Sequence, residues 1–306
     1  MNSAAKHIAS LALAIAASFG IAAFAQAQAG PDFSKVEMVT TKISDHLYTL
    51  DGTGGRIGVL TGSDGIFMVD DEFAPLSDKI VAAIRKFSNE PIRFLVNTHV
   101  HPDHTGGNEN FGKMGAVLFG RDELRYRLEH PAPGANGAPT PPAPAKALPM
   151  ITYEGPVTFH FDGDEVHLIP IRRAHTDGDT MIWFPASDAI MTGDFYRSTG
   201  YPNIDRANGG SLNGMLDGLA EVIGMAGPRT RIIPGHGDIV DRTAVVAHRD
   251  MILVIRDRVA DMVKQGKSLQ EVQAAHVTSD YDSKVPQAAM TSERFIGQLY
   301  AELGGK

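Results

Sequence analysis

Residues 97–108 read NTHVHPDHTGGN and place three histidines and one aspartate within six positions. A short run of β-forming residues, IRFLV at 92–96, leads directly into this segment. The carboxyl ends of strands are where sheet proteins tend to carry their ligand sites. The segment is therefore predicted to form one wall of a metal site, in preference to a solvated polar turn.

The spacing of these side chains predicts two neighbouring metal positions. Side chains alternate along an extended chain, so His99 and His101 point the same way. Pro102 then breaks the strand, and Asp103 and His104 leave the backbone in a different direction. One short segment can thus supply ligands to two adjacent ions.

Three later turns offer further ligands, each next to or between apolar strands. They are His175 in AHTDG, Asp194 in TGD and His236 in PGHG. Glycines beside each residue are typical of loops that turn sharply at strand ends. The resulting set of seven candidate ligands is too large for one tetrahedral zinc ion and suits a pair of ions.

The motifs HVHPDH, AHTDG, TGD and GHG, in this order, resemble those of the metallo-β-lactamase superfamily of binuclear metallohydrolases. The resemblance covers essentially the whole chain after the N-terminal apolar segment. It implies an α/β fold, an αββα sandwich of two mixed β-sheets flanked by helices, with two Zn²⁺ ions at one edge. It also implies the ligand sets: His99, His101 and His175 for the first zinc, Asp103, His104 and His236 for the second, and Asp194 as the bridge.

The chain departs from the thiolate-using lactamases of this superfamily because it has no cysteine. Asp194 stands where those enzymes carry a cysteine ligand. An aspartate bridge is similar to that of glyoxalase II, the lactonases and related nucleases. His101 disfavours the flavodiiron branch, which has a carboxylate at that place in the first motif.

The resemblance and the ligand set predict a zinc-dependent hydrolase that uses a metal-bridging hydroxide to open an ester, lactone, thioester or β-lactam bond. Asp103 is predicted to orient the attacking water. Tyr196 is a candidate oxyanion donor, with a structural tyrosine as the alternative. Two other functions stay open: a mononuclear iron persulfide dioxygenase of the same fold, and a non-catalytic metal-containing binding module.

Other polar residues have weaker claims on the site. Asp70 is either a partner of a ligand histidine or a turn carboxylate. Asp177 and Asp179 could compete with Asp194 as ligands, but their place in HTDGD is typical of side chains that stabilise a turn. The remaining histidines are predicted to be structural or solvated: His46, His130, His160, His167, His248 and His276.

The N-terminal residues 1–29 have the pattern of a cleavable signal peptide. One lysine precedes an apolar run at residues 8–25, and small-x-small cleavage patterns follow. We therefore expect a periplasmic or secreted protein with no membrane anchor after cleavage. The net charge of −8 argues against nucleic acid as a partner. The resemblance and the ligand set imply a small-molecule carbonyl substrate.

Residues 30–306 are predicted to form a single domain of two halves with similar β-rich and helical layouts. Ser77 and Ser211 are predicted to cap helices. Residues 130–149 (HPAPGANGAPTPPAPAKALP) are rich in proline, alanine and glycine and are predicted to form an exposed loop. This loop is interpreted as a surface insertion, with a lid over the site as the alternative.

Overall fold

A computed structural model describes residues 32–133 and 137–305, in which strands rich in buried apolar residues build two mixed sheets. The predicted signal peptide, residues 1–29, lies outside the described residues. Contacts within the chain group Phe33–Lys306 into one compact unit.

The first sheet has seven strands that pair in chain order. They are β1 Val39–Lys42, β2 Leu47–Asp51, β3 Ile57–Gly62, β4 Gly65–Val69, β5 Ile92–Val96, β6 Val117–Arg121 and β7 Ile151–Tyr153. The pairs from β1 to β4 are antiparallel, and those from β4 to β7 are parallel.

The second sheet has five strands in the spatial order β12-β11-β10-β9-β8. They are β8 Val157–Phe161, β9 Asp164–Pro170, β10 Thr180–Phe184, β11 Ala189–Gly193 and β12 Arg231–Pro234. Only the pair β11 and β12 is parallel within this described sheet.

Helices cover the outer face of each sheet. They are α1 Ser77–Ile84, α2 Pro102–Thr105, α3 Asn108–Met114, α4 Asp122–Glu129, α5 Leu212–Met225, α6 Arg242–Lys264, α7 Leu269–Ala274, α8 Ser279–Asp282 and α9 Ala288–Glu302. No helix within residues 32–133 and 137–305 has the length and apolar character that a membrane crossing requires.

Three apolar clusters hold the layers together. In β4, Phe67 and Val69 belong to the cluster between the two sheets, whereas Ile66 and Met68 belong to the cluster under α1 and α3. A third cluster joins the outer face of the second sheet to α5, α6 and α9. Because both faces of these strands are buried, each of the two sheets is a middle layer. The predicted αββα sandwich is confirmed.

The two predicted helix caps had different outcomes. Ser211 caps α5, where its hydroxyl oxygen accepts a hydrogen bond from the Gly214 N–H at 3.1 Å. The prediction for Ser77 was wrong, because Ser77 is the first residue of α1 and its hydroxyl donates to the Ala74 carbonyl at 3.0 Å. A 3₁₀ turn at Ala74–Leu76 runs directly into α1 and supplies this nearby carbonyl acceptor.

The described part of the proline-rich loop packs beside α3 and α4. The Ala143 N–H donates to the Leu128 carbonyl at 2.8 Å, and the Asn108 side-chain amide donates to the Ala147 carbonyl at 3.0 Å. Residues 134–136 lie outside the described residues. These contacts favour the surface insertion, and the lid stays a prediction.

Candidate metal centre

The first group of candidate ligands follows β5 and turns into the one-turn helix α2. His101 has extended backbone angles (φ −64°, ψ 147°), and Pro102 occupies the first helical turn, where its missing N–H costs nothing. His99 and His101 therefore precede the helix, whereas Asp103 and His104 lie on it. The change of direction at Pro102 is the one that the sequence predicted.

The second sheet supplies the other candidate ligands. Asp194 follows β11 and His236 follows the parallel neighbour β12, and the Gly235 N–H donates to the Gly193 carbonyl at 2.9 Å. His175 lies in the turn between β9 and β10. The centre is thus assembled where the ends of both sheets meet.

All seven predicted ligands come together in overlapping groups whose candidate ligand atoms lie within 4.8 Å of one another. The first, here named the three-histidine group, contains His99, His101 and His175. The second, named the aspartate–histidine group, contains Asp103, His104 and His236. A third group, which contains His99, His104 and Asp194, overlaps both.

Asp194 lies between the two named groups. Its Oδ2 atom is 3.9 Å from Nε2 of His175 and 3.4 Å from Nε2 of His236, while its Oδ1 atom is 3.5 Å from Nε2 of His104. Within the groups, His101 Nδ1 is 3.0 Å from His175 Nε2. One carboxylate therefore faces histidines of both groups, as a bridging ligand would.

The residues present fit metal ions. Three buried ligand atoms have no hydrogen-bond partner among the described residues: His99 Nε2, His104 Nε2 and Asp194 Oδ1. Buried polar atoms without partners cost about 1–3 kcal/mol each, so such atoms are expected to have a partner in the working molecule. Imidazole nitrogens and carboxylate oxygens converging on one space are ligands that zinc accepts.

Two ligand histidines are oriented by their neighbours on the first sheet. Asp70 Oδ2 lies 2.7 Å from His104 Nδ1, and the same carboxylate accepts hydrogen bonds from the N–H and hydroxyl of Thr98, both at 2.7 Å. Thr98 Oγ1 is also 3.0 Å from His99 Nδ1. Of the two roles considered for Asp70, the structure shows contact with a ligand histidine.

The other two histidines of the three-histidine group are held by residues that the sequence did not single out. His175 Nδ1 donates to the Asn203 carbonyl at 2.7 Å, and His101 Nε2 is 2.7 Å from Asp205 Oδ2. Neither residue lies in a histidine-rich or glycine-flanked motif, so no sequence pattern signalled it. Contacts of this kind fix the ring orientation and leave the opposite nitrogen for the metal.

Burial keeps part of the three-histidine group neutral. Burial lowers the pKa of His99 well below its ordinary value, and the neighbouring charge of His104 lowers it further. Burial also lowers the pKa of His175 to about 4, against a smaller opposing effect of Asp194. Neutral imidazoles are the form that binds metals.

The aspartate–histidine group holds protons in the metal-free molecule. Burial alone would lower the pKa of His236, but hydrogen bonds to Asp103 and Asp194 outweigh it and raise this pKa to about 9. Burial opposes ionisation of Asp103 too, yet His236 and His104 lower its pKa to about 2. Protonated histidine thus supplies positive charge where a cation would bind.

A loop of small residues covers one side of His104. A Cβ atom added at Gly55 would lie 2.1 Å from the His104 ring, so glycine is required for this approach. The buried Glu72 carboxylate anchors the loop by accepting hydrogen bonds from the N–H groups of Gly52, Thr53 and Gly54 at 2.7–3.1 Å. Glu72 was not identified from the sequence.

The remaining sequence candidates lie outside the three groups. Asp179 Oδ2 accepts a hydrogen bond from the His175 N–H at 2.6 Å, and Asp177 forms a two-point ion pair with Arg127, so both stabilise the turn around His175. Tyr196 is buried in the cluster between the second sheet and the helices, with its ring 5.0 Å from that of His248. This position favours the structural alternative for Tyr196.

A cavity of about 440 Å³ lies beside the loop that follows Asp194, and none of the seven candidate ligands lines it. Its walls include Tyr196, Arg197 and Ser198 from the loop after Asp194, and residues of α6. The Ser198 N–H donates to the His236 carbonyl at 3.2 Å, which ties this loop to the other ligand loop. The volume lies in the range of small-molecule sites.

Solved structures share the fold at low sequence identity. The stereoselective inverting sec-alkylsulfatase Pisa1 from Pseudomonas sp. aligns with a TM-score of 0.65 and 17% identity over 88% of this chain. The chain spans only 50% of that sulfatase. The DIM-1 metallo-beta-lactamase aligns with a TM-score of 0.59 and 18% identity, over 72% of this chain and 99% of the lactamase.

Proteins similar in sequence also include metallo-beta-lactamases. A metallo-beta-lactamase type 2 from Elizabethkingia meningoseptica is 21% identical over 71% of this chain and 85% of that protein. A second type 2 enzyme, from Bacillus cereus, is 20% identical over 63% of this chain and 71% of that protein. The family model of the metallo-beta-lactamase superfamily matches residues 56–238, which include all seven candidate ligands. Since this match spans more than half of the chain, the protein belongs to the metallo-beta-lactamase superfamily.

Proposed function

We propose that this hydrolase of the metallo-beta-lactamase superfamily binds two zinc ions and opens an ester, lactone, thioester or β-lactam bond of a small molecule. The observation that carries the proposal is the convergence of His99, His104 and Asp194, whose candidate ligand atoms lie within 4.8 Å of one another and include buried atoms without a hydrogen bond. A purely structural cluster would satisfy these atoms within the protein.

Each of the two ions would be bound by a different group of residues. The three-histidine group would hold one ion, the aspartate–histidine group the other, and Asp194 would contact both. Bound zinc would supply Lewis-acid polarisation of the substrate carbonyl and acidify water. With its pKa lowered to about 2 by His236 and His104 despite burial, Asp103 is ionised at neutral pH. Its carboxylate can therefore accept a hydrogen bond from water and orient it.

Exposure at one side of the centre, a nearby cavity and the names of two relatives support the proposed substrate class. The Asp103 side chain is 27% exposed and that of His236 21%, so a substrate can reach this side of the centre. The cavity of about 440 Å³ beside the loop that follows Asp194 offers room for a small organic molecule. Two relatives carry the name metallo-beta-lactamase type 2, which supports including β-lactams among the substrates to test.

The experiment combines metal analysis with a substrate panel. We expect the wild-type protein to hold about two zinc ions per chain and to hydrolyse at least one of nitrocefin, simple lactones, 4-nitrophenyl esters and thioesters. Asp194→Ala should lose zinc and activity together. Asp257→Ala, which changes an exposed aspartate paired with Arg256, is the matched control and should retain both.

Unchanged zinc content in Asp194→Ala would overturn the ligand assignment. Iron in place of zinc, together with oxygen uptake on a persulfide, would replace the hydrolase with the dioxygenase alternative. Bound zinc without turnover of any compound in the panel would favour a binding module.

We also propose that the protein is exported to the periplasm or secreted. The apolar run at residues 8–25 and the small residues after it support this proposal. N-terminal sequencing of the protein recovered from the periplasmic fraction tests it. A mature N-terminus near residue 28 or 30 is expected, and an intact residue 1 in the cytoplasmic fraction would contradict it.

A further inference from the structure

One short segment holds two ligands of the three-histidine group. The Asn203 carbonyl accepts the hydrogen bond of His175 at 2.7 Å, and the Asp205 carboxylate lies 2.7 Å from His101 Nε2. The Asp205 N–H also donates to the His175 carbonyl at 2.9 Å. The orientation of both imidazole rings therefore depends on the position of residues 203–205.

The C-terminal helix α9 lies along this segment with one face. Thr291, Gln298 and Glu302 are spaced about one or two turns apart and contact the segment in chain order. The Tyr201 N–H donates to the Thr291 hydroxyl at 2.9 Å, and Glu302 Oε1 pairs with Arg206 Nε at 3.1 Å. Residues on both sides of the segment are thus attached to α9.

Gln298 makes the central contact. Its Oε1 atom accepts a hydrogen bond from the Ile204 N–H at 3.0 Å, and its Nε2 atom donates to Asn203 Oδ1 at 2.8 Å. Both polar ends of one side chain therefore bind consecutive residues, one of which carries the carbonyl that holds His175. Gln298 lies outside residues 56–238, which the superfamily model matches.

We propose that Gln298 is a positioning residue for the three-histidine group, through which α9 sets the affinity of one metal position. The inference rests on the proposed function because it requires a metal at that position. The polar contacts of the aspartate–histidine group run to Asp70, Thr98, Asp103 and Asp194, and none of these residues is hydrogen-bonded to Gln298 among the described residues. The effect should therefore be confined to one of the two positions.

The test measures metal binding in a His236→Ala background, in which the three-histidine group remains complete. Outer contacts of ligand histidines typically change metal affinity about 10- to 100-fold, and Gln298 acts one contact further out. We expect Gln298→Ala to weaken Co²⁺ and Zn²⁺ binding about 3- to 10-fold and to alter the ligand-field absorption spectrum of bound Co²⁺. A loss of packing alone would not move that spectrum.

Two further variants separate positioning from folding. Gln298→Glu keeps the acceptor for the Ile204 N–H, and the Asn203 amide can rotate to donate to it, so this variant should restore most of the affinity. Asn203→Ala removes the other partner of the hydrogen bond between Gln298 and Asn203. The double variant should therefore lose less metal-binding free energy than the sum of the two single losses. Gln273→Ala is the matched control, because Gln273 contacts α9 at the Glu293 carbonyl, away from residues 203–205.

The outcomes are distinct. Equal metal affinity and equal Co²⁺ spectra in Gln298→Ala, Asn203→Ala and Gln273→Ala would overturn the positioning role while leaving the proposed function intact. If neither the wild-type protein nor the His236→Ala protein with native Gln298 binds either metal, the proposed function and the inference fail together. If only the wild-type protein binds metal, the three-histidine group does not hold an ion by itself and the inference fails alone.

Discussion

The Oδ2 atom of Asp70 lies 2.7 Å from Nδ1 of His104, and both side chains are buried. The other carboxylate oxygen, Oδ1, accepts the Thr98 N–H at 2.7 Å, so the carboxylate is fixed at two points. A hydrogen on His104 Nδ1 that donates to Asp70 leaves Nε2 to face the centre. Asp70 therefore sets which nitrogen of His104 is offered to a metal.

The first prediction concerns this contact. Asp70→Asn should lower zinc affinity at the aspartate–histidine group about 10- to 100-fold, because an amide holds the His104 ring less firmly and supplies no negative charge. Competition with a chromophoric chelator measures the change. Asp45→Asn removes an exposed carboxylate paired with Lys42 and serves as the control. Equal affinities in the two variants would show that Asp70 does not tune the site.

The second prediction concerns the glycine beside His104. Gly55→Ala should reduce zinc content and activity, because the new methyl group would lie 2.1 Å from the His104 ring and must displace it or the loop. Gly155→Ala adds the same methyl group where nothing lies within 4 Å, so it should leave zinc content unchanged. Zinc analysis of both purified variants is sufficient. Full zinc occupancy in Gly55→Ala would show that the loop can move aside without weakening zinc binding.

The third prediction concerns the pH dependence of zinc binding. His236 has its pKa raised to about 9 by Asp103 and Asp194, which outweigh burial, so it is protonated at neutral pH without metal. Zinc must displace this proton, and the apparent affinity should rise about tenfold per pH unit for each displaced proton. The part of this rise that comes from His236 should end as the pH passes about 9. Burial lowers the pKa of His104, but Asp70 and Asp194 outweigh it and raise this pKa well above its ordinary value, so displacement of a proton from His104 adds to the rise.

Calorimetry of zinc binding in buffers with different ionisation enthalpies measures the released protons directly. His236→Ala should release fewer protons than the wild-type protein at the same pH. A wild-type affinity that is constant from neutral pH upwards would contradict the protonated state of His236.

The fourth prediction concerns His248 in α6. Its Nε2 atom is buried without a hydrogen-bond partner among the described residues, and burial lowers its pKa to about 4. The unfolded chain, with an ordinary histidine pKa of about 6.5, binds this proton more readily than the folded chain does. The stabilisation that depends on neutral His248 is therefore complete above about pH 6.5 and is lost as the pH falls towards about 4.

Denaturant unfolding of the metal-free protein at several pH values tests whether stability falls as the pH is lowered. In the wild-type protein, protonation of His248 should lower the free energy of unfolding by on the order of 2 kcal/mol between about pH 6.5 and pH 4. The His248→Gln protein should lack this decrease. His160→Gln, with a side chain 78% exposed in the wild-type protein, is the control and should keep the wild-type slope. Parallel pH profiles for all three proteins would mean that His248 is not held neutral.

The candidate ligands could be identified from sequence because their signals are local. His99, His101, Asp103 and His104 fall within one turn and a strand end, and the glycines beside the later candidates mark sharp loops. The αββα layers could be predicted from the resemblance and from the order of β-rich and helical segments. Residues 66–69 are apolar throughout, so their division between two clusters could not be predicted from the sequence.

The contacts that orient the ligands could not be predicted, because the partners are far apart in the chain. Asp205 is 104 residues from His101, and Gln298 is 95 residues from Asn203. An aspartate or glutamine at such a position has no periodicity or motif that distinguishes it from a solvated side chain. The strand β7 could not be predicted for a different reason, since its three residues are too few to show an alternating pattern.

The division of ligands between the two sheets has a consequence for folding. Neither named group can be completed from the first sheet alone, because His175 and His236 belong to loops of the second sheet. High-affinity metal uptake must therefore wait until the two sheets have packed face to face. A chain trapped with its sheets apart would offer incomplete coordination and bind zinc weakly. Zinc retention would thus report correct assembly, and a metal-dependent refolding phase should be the last to appear.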